Sequence, residues 1–106
     1  TKYIDDCATL IIPADLSGAT VKQIQEMSIC AFRAIDCSGL ARVDFLIGQD
    51  GEILLNEINT MPGFTPISMY PKLWAAAGLN YPDLIDRLIQ IALARHSRRR
   101  DLKTTL

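Results

Sequence analysis

A chain of 106 residues, 49% hydrophobic and 22% charged, describes one folded globular domain, long enough to bury roughly two-thirds of its unfolded surface. A net charge of −1 excludes a general pull toward nucleic acid or anionic membrane, and no apolar run suggests a membrane span or a signal peptide. Three cysteines, Cys7, Cys30 and Cys37, are odd in number and lack Cys-x-x-Cys spacing. That argues for reduced thiols in a cytoplasmic protein and against a disulfide framework. The chain opens on Thr1 rather than Met, so a piece of a longer protein is expected.

Lys2, Tyr3, Asp5 and Asp6 lead into the apolar run Cys7 to Ile12, which reads as a strand stopped by Pro13. Ser17 offers an N-cap to a helix reaching about residue 36. Val21, Ile24, Ala31 and Ile35 recur at helical spacing, and Met27, Ile29 and Phe32 widen the stripe for packing on a sheet. Gly39 fits the stop after that helix. Two runs rich in Val, Ile, Leu and Phe then flank Asp50-Gly51, which predicts a hairpin with a two-residue type I′ turn. In that register Gln49 faces Glu52, Asp44 faces Glu57 and Arg42 faces Asn59.

Residues 60–66 hold too much Pro and Gly for regular structure. Ser68 is an N-cap for a short helix with Pro71 in its first turn and Gly78 after its end. Free N–H groups at such a start, around Ser68–Met69, attract anions. Pro82 suits the first position of a last helix over residues 82–96, with Leu84, Ile85, Leu88, Ile91 and Ala92 as its buried stripe. His96 and the basic run Arg95, Arg98, Arg99 and Arg100 fall at its end, and residues 97–106 are expected to be a flexible basic tail. These elements make an α+β domain with an antiparallel sheet packed against helices.

Alternation along the strands puts Arg42, Asp44 and Leu46 on one face with Leu55, Glu57 and Asn59. Facing Cβ atoms lie roughly 4.5–5.5 Å apart, so two carboxylates there repel unless a cation lies between them. On that reasoning Glu57→Gln should stabilise the metal-free hairpin. Two carboxylates, an amide oxygen and an arginine suit Mg²⁺ whose shell is completed by phosphates. A solvated polar face is the alternative, although both strands are otherwise apolar.

Taken with the following loop and helix start, three stretches carry a family resemblance. Gly-Leu-Ala-Arg-Val-Asp-Phe (39–45), Leu-Asn-Glu-Ile-Asn-Thr-Met-Pro-Gly-Phe-Thr (55–65) and Ser-Met-Tyr-Pro (68–71) resemble the C-terminal third of D-alanine–D-alanine ligases, which are ATP-grasp enzymes. The resemblance covers nearly the whole chain and implies an ATP-grasp C-terminal subdomain over residues 1–106, with the N-terminal and central domains absent. It implies that Asp44, Glu57 and Asn59 hold two Mg²⁺ ions, or Mn²⁺, with Glu57 bridging. Lys2, Asn56 and Glu57 would face ATP, and Arg42 and the N–H of Gly63 would stabilise an oxyanion. Ser68 and the N–H of Met69 would hold the second D-alanine's carboxylate, while Tyr3 would help orient the first D-alanine.

The implied reaction joins two D-alanines through a D-alanyl phosphate, for the peptidoglycan of the cell wall and hence cell shape. The complete enzyme is expected to be a cytoplasmic homodimer with no nucleic-acid or membrane partner. The Lys2-Tyr3 pair favours the dipeptide over D-alanyl-D-lactate. The family's adenine pocket, phosphate-gripping lysines and partners of Tyr3 precede Thr1, so the 106 residues alone are expected to be inactive. Two other readings stay open. One is another ATP-grasp carboxylate–amine ligase sharing Arg42, Asp44, Glu57 and Asn59; the other is a non-enzymatic acidic hairpin that binds Ca²⁺ or a partner.

Overall fold

The computed structural model describes residues 10–105. They form α1 (Gly18–Ala34), β1 (Arg42–Ile47), β2 (Ile53–Asn59), α2 (Met69–Ala76) and α3 (Tyr81–Thr105), in that order. Most of the expected strand over 7–12 lies outside the described residues, and Leu10 to Ile12 carry no regular structure.

Ser17 caps α1 as expected, its hydroxyl accepting from the Thr20 N–H at 3.2 Å. The stop differs from the sequence reading. Asp36, at φ 56°, takes the left-handed position after the helix; its N–H bonds to Arg33 O and the Cys37 N–H to Phe32 O. That double bond pattern closes a helix end, and Asp is among the residues that tolerate the left-handed region. Gly39, at φ 84°, instead shapes the loop into β1. Ile24, Met27, Ala31 and Phe32 of α1 are half-buried against the strands, while Val21, Ile29 and Ile35 are exposed.

The hairpin turns through three residues rather than two. The Gly48 N–H bonds to Glu52 O at 2.8 Å and the Gly51 N–H to Gly48 O at 3.0 Å, with Gly51 at φ 87°. A turn followed by a left-handed residue is the usual three-residue hairpin loop. It pairs Ile47 with Ile53, Leu46 with Leu54 and Phe45 with Leu55, one residue out from the expected register. A bulge between Asp44 and Phe45 leaves Asn56 as the extra residue and restores Asp44 to Glu57 and Arg42 to Asn59. The expected facing pairs form, but through two offsetting irregularities. Leu55 therefore joins Phe45's face rather than that of Asp44, and Leu54 stands opposite Leu46.

After β2 the chain runs without regular structure to Ser68. The Phe64 ring is clasped between Tyr70 and Tyr81, with centroids 5.8 and 5.6 Å away, and the Tyr81 hydroxyl donates to Phe64 O at 2.5 Å. Tyr70 is buried, which pushes its phenol pKa up. Gly78, at φ 102°, ends α2 as expected, its N–H bonding to Ala75 O and that of Leu79 to Trp74 O.

Asn80 starts α3 by accepting from the Asp83 N–H at 3.0 Å through Oδ1 and from the Leu84 N–H at 2.9 Å through its carbonyl. Pro82 is thus the second helical residue, not the first. The helix continues to Thr105, so the basic run is helical rather than a tail beyond a helix end at 96. Of the expected stripe Leu84 is buried and Ile85 and Leu88 are half-buried, but Ile91 and Ala92 are exposed.

Within residues 10–102 the expected core does not close. Among the described residues the buried hydrophobic side chains are Tyr70 and Leu84, joined by Pro62 and Pro71. Accessible surface is 8250 Å², where a compact monomer of 11.8 kDa exposes about 5,900 Å². The radius of gyration is 16.7 Å against about 13 Å for a closed domain of this length. Both hairpin faces contribute, with Leu46 57% and Leu55 47% exposed on opposite sides. A two-stranded sheet bare on both faces is marginal in water. The chain by itself is expected to bind a hydrophobic dye such as ANS and to unfold in urea without a sharp transition. A steep transition with no dye binding would contradict this.

Candidate functional site

β1 and β2 bring Arg42, Asp44, Glu57 and Asn59 to the end of the hairpin where the chain enters the 60–68 loop. Arg42 Nε donates to Asp44 Oδ1 at 3.0 Å and Nη2 to Asp44 Oδ2 at 3.1 Å, a two-point grip on one carboxylate. The same Nη2 lies 3.8 Å from Glu57 Oε1. A cation therefore sits where the facing acids would otherwise repel. The hydrogen bonds to Asp44 hold the Arg42 guanidinium above its ordinary pKa against a smaller opposing cost of desolvation, so it stays charged throughout the working pH range.

This cluster fits a hard divalent cation by the chemistry of its donors. Asp44 and Glu57 supply carboxylates, with side chains 31% and 58% exposed and thus open to a ligand. Asn59 Oδ1 accepts from the Met61 N–H at 3.0 Å, which ties the loop to the strand and leaves the amide oxygen a second lone pair. Among the described residues no three His, Cys, Asp or Glu side chains gather as a ready-made cage. Two acids and one amide fall short of the six oxygens Mg²⁺ prefers, which leaves positions for phosphate oxygens.

The second group lies in the loop. Ser68 stands at the start of α2 with extended backbone, yet its hydroxyl does not cap the helix. Instead Ser68 Oγ accepts from the Thr65 N–H at 3.0 Å and lies 2.7 Å from Thr65 Oγ1. The first-turn N–H groups of Met69 and Tyr70 have no intrahelical acceptor, and Pro71 has none to offer. A Cβ added to Gly63 would come within 3.1 Å of Ser68 Oγ, so a larger residue would push that hydroxyl aside. Gly63 and Ser68 are thus neighbours, with Met69 next in the chain. Asn56 occupies the bulge, while Lys2 and Tyr3 lie outside the described residues.

Sequence reasoning missed Thr65 and Tyr81, which hold the loop in place. Thr65 sits three residues before an N-cap Ser, and Tyr81 stands beside a helix-starting Asn80; neither is a signal without the fold. The bulge did leave a trace, because Leu54-Leu55-Asn56-Glu57 breaks the alternation that a plain strand keeps.

These features define a class: an ATP-grasp C-terminal subdomain, an α+β unit whose hairpin carries the acids. The family described as D-ala D-ala ligase C-terminus matches residues 1–90, and the chain belongs to it. It is 52% identical over 106 residues to the D-alanine--D-alanine ligase of Shouchella clausii, covering 99% of this chain and 29% of that protein. The solved D-alanine-D-alanine ligase from Coxiella burnetii superposes with a TM-score of 0.84 at 51% identity, over 87% of this chain and 26% of that one. A Bacillus anthracis D-alanine--D-alanine ligase complexed with ATP superposes with a TM-score of 0.75 at 33% identity, over 80% of this chain and 30% of that one. The chain thus spans under a third of the length of these relatives. No helix among the described residues is long and apolar enough to cross a membrane.

With Arg42 between the acids, the stability gain expected for Glu57→Gln largely disappears. In a full-length protein carrying this chain, without divalent metal, that variant is expected to shift stability by less than about 0.5 kcal/mol. Arg42→Met, which leaves two facing carboxylates unpaired, is expected to cost about 1 kcal/mol, and adding Glu57→Gln to it should recover part of the loss. Urea titration of the three variants reads this directly.

Proposed function

We propose that this chain is the C-terminal catalytic part of an ATP-dependent D-alanine–D-alanine ligase, working with an N-terminal part to make the dipeptide of peptidoglycan in the cytoplasm. The observation that carries the reading is the register that sets Asp44 against Glu57 and Arg42 against Asn59. Membership of the ligase family, the ATP complex of the Bacillus anthracis relative and the bare apolar faces support it. A non-enzymatic acidic hairpin accounts for none of these.

Asp44, Glu57 and Asn59 would hold Mg²⁺ or Mn²⁺, two ions in this reading, with Asn56 and Lys2 toward the nucleotide. Bound there, the metal neutralises charge on the phosphates of ATP during phosphoryl transfer. The carboxylate of the first D-alanine, oriented with the help of Tyr3, takes the γ-phosphoryl group to give an acyl phosphate and ADP. The amine of the second D-alanine then attacks the acyl carbon, and phosphate leaves as the amide forms. Arg42 and the Gly63 N–H donate to the oxyanion of that addition, where one preorganised donor is worth roughly 2.7–4 kcal/mol. Gly63 also leaves room beside Ser68, whose hydroxyl, with the Met69 N–H, binds the second carboxylate. The complete enzyme pairs as a homodimer in this reading.

In a complete ligase carrying this chain, Asp44→Asn and Glu57→Gln should each lower D-alanine-dependent phosphate release by at least about 10²-fold with folding intact. The 106-residue chain alone should release none. Unchanged turnover in both variants, or robust turnover by the isolated chain, would overturn the reading.

A further inference from the structure

A serine that binds a carboxylate must present its hydrogen, since an anion offers only acceptors. A hydroxyl has one hydrogen to give and two lone pairs to fill, and at an N-cap it ordinarily faces the helix as an acceptor. Ser68 is drawn away from that role: its Oγ accepts from the Thr65 N–H at 3.0 Å and lies 2.7 Å from Thr65 Oγ1. The Ser68 N–H in turn bonds to Thr65 O at 2.9 Å, so the two residues are locked together at both backbone and side chain.

We propose that Thr65 is a positioning residue for the second substrate, one that fills both acceptor sites of the Ser68 hydroxyl and leaves its hydrogen as the group offered to the substrate carboxylate. The inference rests on the ligase reading above and deepens it. Two hydrogen bonds received by one oxygen polarise its O–H and strengthen what that hydrogen donates. Gly63 helps by having no side chain, because a Cβ there would lie only 3.1 Å from Ser68 Oγ and would push the hydroxyl aside. Thr65 acts through Ser68 and touches no reacting atom.

The test uses a complete ligase carrying this chain. Thr65→Val keeps the backbone N–H and the shape but removes Oγ1, and Thr65→Ser keeps both donors. Loss of one net hydrogen bond should raise the KM for the second D-alanine roughly three- to tenfold in Thr65→Val, with kcat and the KM for ATP within about twofold of wild type. Thr65→Ser should restore wild-type KM. With D-alaninamide as the attacking amine, which lacks the carboxylate, wild type and Thr65→Val should become equal. An active wild type in which Thr65→Val leaves the second-site KM unchanged, or lowers kcat with both amines alike, overturns the inference alone. If Thr65→Val fails to fold, Thr65→Ala read by the same comparison takes its place. A wild type that forms no dipeptide removes the ligase reading and this inference with it.

Discussion

The structure depends on two acids being held face to face. Asp44 and Glu57 stand opposite each other across β1 and β2, an arrangement that costs stability in a bare hairpin, and Arg42 offsets it by gripping one carboxylate and approaching the other. Around that cluster the rest of the chain supplies position. The Asn59 amide ties the loop to the strand, Phe64 is clasped by two tyrosines, and the Ser68 hydroxyl is held by Thr65 instead of capping α2. Charge and loop geometry meet at the base of the hairpin, where Arg42 between the acids faces Asn59, the residue that ties the loop to the strand.

Both groups lie on an open scaffold. A closed domain of this mass would hide far more surface, and here each side of the hairpin shows leucine or isoleucine to solvent. α1 covers one part of the hairpin, and α3 runs on past its buried Leu84 into an exposed, strongly basic stretch. Sheet faces of this kind are buried within larger sheets or against a second layer. The relatives have the chain length to supply such a layer, since this chain matches under a third of each.

Much of this was legible in the residues. Ser17 as a cap, Gly78 as a stop and the hairpin itself follow from local chemistry that tertiary contacts did not override, while the facing pairs at its base are reached through two irregularities that the expected two-residue turn did not contain. What was not legible had a physical reason each time. Asp36 ended α1 in place of Gly39 because a side chain other than glycine can hold the left-handed position when two hydrogen bonds reward it. The basic run stayed helical because Arg is itself a good helix former and the segment lacks Gly or Pro to stop it. The closed core was expected from composition, which counts apolar residues without saying whether this chain or another covers them. Whether Ser68 capped α2 or faced Thr65 was a choice between two nearby donors that only coordinates decide.

The paired irregularities of the hairpin carry a consequence for how such a segment tolerates change in length. The three-residue tip displaces the strands by one step, and the extra residue at Asn56 steps them back before the acids are reached. A one-step slip of β2 along β1 would turn every β2 side chain to the other face. A change in the length of the tip leaves the residues below it paired as they are, because residues 49–51 lie outside the ladder. The alignment of the acids is therefore guarded by the paired strand residues themselves and is independent of how long the tip is.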